Sequence, residues 1–100
     1  MFVHHVFFWL KKDLSQEDIQ LFVNGVKSLQ PIEHIAASEI GKPASTDRPV
    51  IERSYSYSLL LQFSNKESHD AYQVDPVHQA FVDNCAHLWE KVLIFDSESI

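Results

Sequence analysis

Runs of apolar residues that are continuous or alternate with polar ones predict four β-strands along the chain. Phe2 to Leu10 is rich in aromatic and β-branched residues and is apolar on both of its faces. A weaker second strand is predicted over residues 32–41, a third over 55–64 and a fourth over 90–98. The third begins as Tyr-Ser alternation and becomes apolar on both faces at three consecutive leucines.

The residues between the strands carry a helical period. Ser15 is placed to cap a helix whose pattern closes at Pro31, and Gly25 within it indicates close packing, because glycine costs about 1 kcal/mol in a helix. Residues 65–74 predict a short helix, and Asp75 with Pro76 starts another. The apolar stripe of the first helix consists of Ile19, Phe22, Val23, Val26 and Leu29.

The resulting order, βαββαβ, predicts an α+β fold of the ferredoxin-like type with an antiparallel sheet, as a single domain over residues 1–100. Helices cover only one face of such a sheet. Strands one, three and four are apolar on both faces, so the second face would be wetted unless another protein covered it. We therefore expect a homodimer packed sheet to sheet.

Composition narrows the possible partners. A net charge of −6 without a Lys/Arg run argues against nucleic acid, whose binding depends on clustered positive charge. The apolar start lacks a basic segment and a small-residue cleavage site, so it is interpreted as a strand rather than a signal peptide, and no membrane association is expected. Cys85 is the only cysteine, which excludes an intrachain disulfide and favours a cytoplasmic location.

Four segments together resemble the stress-responsive dimeric A/B barrel (Dabb) family along nearly the full chain. They are "HHVFFWLKK", "YSYSLLLQFSN", "AYQVDPVHQAF" and "WEKVLIFD"; the third is similar to the family's D/H-P-x-H motif and is the most specific. The resemblance implies a dimeric α+β barrel with a cavity between the sheet and the helices of each subunit. Most members of this family have no established reaction.

A plant polyketide-cyclase branch of that family has a tyrosine and a histidine at the spacing of Tyr72 and His78. The resemblance implies that the tyrosine orients substrate or donates a proton and that the histidine acts as general base. It also implies a first-strand histidine, which the run into "LKK" places at His4 rather than His5. Tyr57 stands where many members carry a histidine, a departure that changes the polar lining of the expected cavity.

His78 also has a purely structural interpretation. With Asp75 as N-cap and Pro76 at N1, His78 occupies N3 of a helix and needs no further role. The functional interpretation adds that the positive end of the helix dipole favours a neutral imidazole, able to accept a proton near neutral pH. Similarly, His4 on an apolar strand face is either a core histidine with a hydrogen-bond partner or a cavity residue.

Metal and cofactor chemistry are not expected. His4 and His5 face opposite sides of a strand, and His78 and His87 would face opposite sides of one helix.

The sequence leaves two hypotheses for the function. One is an enzyme or binder of a small aromatic or carbonyl-containing molecule, with a cavity lined by His4, Tyr57, Tyr72 and His78 and acid–base chemistry by His78 and Tyr72. The other is a non-catalytic, stress-associated structural or interaction dimer.

Overall fold

Four antiparallel strands and three helices make up the structure, a computed structural model that describes Met1–Ile100. The order confirms βαββαβ, with the second helical unit broken in two. The elements are β1 (Phe2–Leu10), α1 (Gln16–Lys27), β2 (Ala37–Gly41), β3 (Tyr57–Phe63), α2 (Lys66–Gln73), α3 (Pro76–Cys85), a 3-10 turn (Ala86–Leu88) and β4 (Trp89–Glu98). None of these helices is long and apolar enough to cross a membrane.

The sheet order is β2-β3-β1-β4, which places the first strand in the middle and the last strand at an edge. All three pairings are antiparallel. In register, His4 lies opposite Leu61 of β3 on one side and opposite Asp96 of β4 on the other. Residues opposite each other in a ladder project from the same sheet face, so these three side chains share a face.

The core lies between one face of the sheet and the helices. Alternate residues of β1 point into it, and so do alternate residues of β3, as the period of two requires. Phe22, Val26 and Leu29 of the α1 region complete it from the helical side, as their stripe predicts. The inward strand residues are Phe2, His4, Val6, Phe8, Leu59, Leu61 and Phe63.

The helix starts follow the capping signals of the sequence. The Ser15 side chain accepts a hydrogen bond from the Asp18 backbone at 3.1 Å. The Asp75 side chain accepts one from the Val77 backbone at 2.8 Å, with proline next in the first turn. These bonds satisfy amides that a helix leaves unpaired at its start. The second cap fixes where α3 begins and therefore where His78 lies.

At Gly25, α1 lies very close to α3. A Cβ built at Gly25 would lie 2.6 Å from Cys85 Sγ and 3.1 Å from a Phe81 ring carbon. The close packing indicated by a glycine inside the helical pattern is confirmed.

The second strand is shorter than its pattern predicts. Residues 32–35 are not in a strand, and a turn at residues 33–34 is closed by the Ile35 amide, which donates to the Ile32 carbonyl at 3.2 Å. Pairing with β3 begins only at Ala36, whose amide donates to the Gln62 carbonyl at 2.8 Å. Ile32 is buried in the core from this turn. Its apolar character therefore reflects core packing of a turn and not a strand period.

The sheet face opposite the helices is apolar and open. His5, Phe7, Trp9 and Tyr55 border a cavity of about 470 Å³ there together with Phe95, which is 58% exposed. The edge strand β4 exposes apolar side chains on both of its faces, namely Val92, Leu93, Ile94 and Phe95. A patch of this kind is typical of a protein–protein interface.

Candidate functional site

A cavity of about 200 Å³ lies between the inner sheet face and helices α2 and α3. It is mostly apolar, and three of the four predicted site residues, His4, Tyr72 and His78, line it. Its other walls are Val6, Phe8, Leu29, Leu59, Gln73, Phe81, Val82, Trp89, Val92 and Ile94. An apolar cavity with a few convergent polar groups is the usual form of a small-molecule site.

Tyr72 and His78 meet across the break between the two short helices. Tyr72 lies in the last turn of α2 and His78 in the first turn of α3. The Asp75 backbone amide donates to the Tyr72 carbonyl at 3.1 Å, which closes the turn at the break. The two rings are 4.8 Å apart between centroids and inclined by 67°. The break in the helix therefore brings two residues six positions apart to one wall.

The His78 imidazole is held in its neutral form. Burial lowers the pKa of His78, the nearby His4 ring lowers it further, and Asp75 and the Gln73 backbone oppose the shift. This direction agrees with the prediction from the helix start, but burial is the largest cause. Nδ1 of His78 is buried and has no hydrogen-bond partner within the protein. A buried polar atom without a partner is costly, so this nitrogen is available to a ligand or a water.

Tyr72 has the opposite protonation preference for the same physical reason. Its side chain is almost fully buried, at 1% exposure, and burial raises the pKa of the phenol well above its ordinary value. Tyr72 therefore keeps its proton throughout the neutral range. It faces the Phe63 ring at 5.4 Å and the His4 ring at 6.0 Å, which fixes its orientation.

His4 is tied to the last strand. Its Nδ1 donates to Asp96 Oδ1 at 2.6 Å, and the two side chains are 4% and 41% exposed. Burial lowers the pKa of His4 and outweighs the carboxylate, which raises it. His4 thus has both roles that its strand position allowed, because it is a core histidine with a partner and it also lines the cavity.

Tyr57, the fourth residue expected at this site, lies outside the lining of this cavity. Tyr57 lies opposite Phe8, four residues along the ladder from the level of His4, which is about 13 Å at 3.3 Å per residue. Its ring packs against Phe22 at 5.4 Å. It borders a different, larger cavity of about 610 Å³, whose rim carries Lys11, Lys12 and Lys42.

His5 points to the opposite sheet face, where its ring lies 4.3 Å from that of Phe7.

Two residues close to His4 were not predicted from the sequence. Asp96 is its hydrogen-bond partner, and the His69 ring of α2 lies 4.9 Å from the His4 ring. The antiparallel pairing of β1 with β4 could have identified Asp96, because it fixes which residue lies opposite His4.

The arrangement combines a neutral imidazole, a protonated phenol and an apolar wall. A neutral imidazole accepts a proton near neutral pH, and a phenol donates a hydrogen bond to a developing negative oxygen. Low polarity around the two groups strengthens both interactions. These are the components needed to remove a proton next to a carbonyl group.

Comparison with known proteins gives one family and a consistent fold. Residues 2–99 match the family model described as Stress responsive A/B Barrel Domain. No curated protein matches the sequence.

Among solved structures, the At3g17210 protein of Arabidopsis thaliana is 23% identical, with a TM-score of 0.79, over 100% of this chain and 96% of that one. A Dabb family protein with a ferredoxin-like fold from Mesorhizobium loti is 27% identical, with a TM-score of 0.78, over 99% and 96%. The hydroxynitrile lyase of Passiflora edulis is 19% identical, with a TM-score of 0.76, over 96% and 90%. Further similar structures are described as dimeric.

Proposed function

The chain belongs to the stress-responsive A/B barrel (Dabb) family, and from that premise we propose that it binds a small carbonyl-containing or aromatic molecule and removes a proton next to the carbonyl. His78 is the general base in this proposal. Tyr72 donates a hydrogen bond to the oxygen on which negative charge develops. The observation that carries the proposal is the meeting of these two rings at 4.8 Å on one apolar cavity.

The protonation states support these roles without a cofactor. The pKa of His78 is lowered, so the imidazole is free to accept a proton, and the pKa of Tyr72 is raised, so the phenol keeps its own. Both shifts have burial as their largest cause. A pair of titratable groups, one kept deprotonated and the other kept protonated by its environment, is typical of acid–base sites.

The size of the cavity limits the substrate. About 200 Å³ is below the range of roughly 300–1,000 Å³ common for drug-sized ligands. The proposal therefore concerns a compact molecule, such as a single ring carrying a carbonyl group. The likeness to a hydroxynitrile lyase, at 19% identity, concerns the fold and supports only the idea that this fold can house an enzyme.

We also propose that the functional unit is a homodimer joined through the outer sheet faces. The open apolar face around Phe7, Trp9 and Phe95 supports it, and similar structures are described as dimeric. Covering this face from a second copy would bury side chains that a lone subunit leaves in water. Together the two sheets would form the barrel.

The experiment follows hydrogen–deuterium exchange at the α-carbon of small ketones, such as acetone and acetophenone, by NMR in D₂O. We expect the wild-type protein to accelerate exchange of a ring-bearing ketone. His78→Ala should reduce this acceleration by about 10²- to 10⁴-fold, and Tyr72→Phe by about 10²- to 10³-fold. His87→Ala is the matched control, since His87 is an exposed histidine outside the cavity and its loss should change nothing.

Each variant is also tested for folding by thermal unfolding, because an unfolded variant would lose the accelerated exchange just as a variant without the general base does. Unchanged exchange in a folded His78→Ala protein would overturn the acid–base assignment. Ketone binding without any accelerated exchange in the wild type would favour the alternative, a non-catalytic dimer whose cavity only binds.

A further inference from the structure

Three side chains that could ligate a metal converge beside the cavity from distant parts of the chain. They are His4 of β1, His69 of α2 and Asp96 of β4. One donor atom from each lies within 4.8 Å of the others. The pairing of β1 with β4 brings the carboxylate to His4, and packing of α2 on the sheet brings the second imidazole.

We propose that His4, His69 and Asp96 form a binding site for a divalent transition metal ion, with Zn²⁺ as the ion that the donor set fits best. Two imidazoles and one carboxylate are a common protein donor set for zinc, with water in the remaining positions. The sequence-based expectation of no metal considered only histidines close together along the chain. The proposal stands independently of the catalytic role given to His78 and Tyr72.

The present distances are near those of a closed site. Bonds of about 2.1 Å hold donor atoms roughly 3.0 to 3.5 Å apart. His4 Nδ1 and Asp96 Oδ1 are 2.6 Å apart and would separate slightly, whereas the widest donor distance, up to 4.8 Å, would contract by side-chain rotation. The ion takes the place of the proton that Nδ1 donates to the carboxylate, and Nε2 takes up a proton from solvent in exchange, so that His4 binds as a neutral imidazole.

The surroundings of His69 fit a ligating imidazole. Its Nδ1 lies 3.1 Å from Asp70 Oδ1, so a proton on Nδ1 leaves the lone pair on Nε2. Proteins commonly orient metal-binding histidines through a carboxylate in this way. The Gln73 amide is 3.4 Å from Nε2, a distance at the weak end of hydrogen bonding, so it is readily displaced.

Burial and access are both suitable. His4 and His69 are buried, and the His69 ring stacks on Phe2 at 4.5 Å, which limits its rotation. The Asp96 side chain is 41% exposed and gives the ion a route from solvent. Neutral imidazoles are the form that binds metal.

The test titrates the full-length protein with Co²⁺ alone, followed by its visible absorption, and then displaces it with Zn²⁺ alone. We expect one ion per chain. His69→Gln and Asp96→Asn should each weaken binding by about tenfold or more. His87→Gln and His34→Gln remove exposed histidines elsewhere and should leave the affinity unchanged.

Asp96→Asn keeps the shape of the side chain at a half-exposed position, so it separates lost ligation from lost folding. Thermal unfolding of each metal-free variant provides the same check for His69→Gln. The proposal is overturned if Co²⁺ gives no protein-bound spectrum. It is equally overturned if the control variants weaken binding as much as His69→Gln and Asp96→Asn do.

Discussion

Replacing Gly25 by alanine tests how tightly α1 and α3 are packed, and with it what holds the helix that carries His78. The added methyl group would lie 2.6 Å from Cys85 Sγ, a distance that real Cβ atoms do not adopt, and 3.1 Å from the Phe81 ring. Alanine gains about 1 kcal/mol over glycine in a helix interior. Overpacking a filled core costs about 1–3 kcal/mol. The balance predicts that Gly25→Ala lowers the free energy of unfolding by about 1 kcal/mol.

A second substitution, at Cys85, completes a double-mutant cycle with Gly25→Ala. Cys85→Ala alone removes one buried heavy atom and should cost about 0.5–1.5 kcal/mol, as Ile→Val does. In the double variant the new methyl group occupies the space vacated by Sγ. The double variant should therefore be more stable than the sum of the single effects predicts, by about 1–2 kcal/mol.

Urea unfolding of all four proteins, at one protein concentration, measures these terms. Additivity within about 0.5 kcal/mol would refute the contact between the two positions. So would a Gly25→Ala protein stabilised by the full 1 kcal/mol of helix propensity, since that requires free space at Gly25.

Three further outcomes follow from the fold. Asp75→Ala should lower the free energy of unfolding by about 1 kcal/mol in urea unfolding, whereas Asp75→Asn should retain most of the cap. The folded-state pKa values of His4, His5 and His78 are lowered, so the unfolded chain binds more protons than the folded protein below about pH 6.5. The free energy of unfolding should therefore fall as the pH drops through that value, and His78→Gln should make this dependence on pH less steep. An unchanged slope in His78→Gln would contradict the burial of His78. Residues 43–49 lack helix and strand, and their amides should exchange faster than those of β3; equal protection would mean that this segment is packed.

The elements that were predicted well carry a strong local signal. β1 is apolar on both faces apart from His4 and His5, and α1 has both a cap at Ser15 and a continuous stripe. The break before α3 was predictable because Asp75 and Pro76 act through their immediate neighbours. In the predicted second strand, the apolar residues Ile32 and Ile35 were assigned to the strand, although they lie outside it. An apolar residue buried in a turn and one buried in a strand look the same in the sequence.

The site was predictable only in part because its members meet through long-range pairing. Tyr72 and His78 are six residues apart, so one local break could indicate their meeting. Tyr57 was assigned to the cavity from the family resemblance, whereas its position is set by register with Phe8, away from His4. Asp96 is brought to His4 by strand pairing, and His69 by packing of α2 on the sheet. Neither contact can be recognised from the residues next to Asp96 or His69 in the sequence.

The bond between His4 and Asp96 spans 92 residues and closes nearly the whole chain into a ring. Closing a loop of that length costs about 2 kcal/mol more chain entropy than closing one of ten residues. Chains that depend on contacts of such long range fold more slowly than chains rich in local contacts, because the loop must close before the contact can stabilise it. The ¹⁵N resonance of His4 Nδ1 should therefore report when the two ends of the chain have met during refolding, and this wall of the cavity is complete only from that moment.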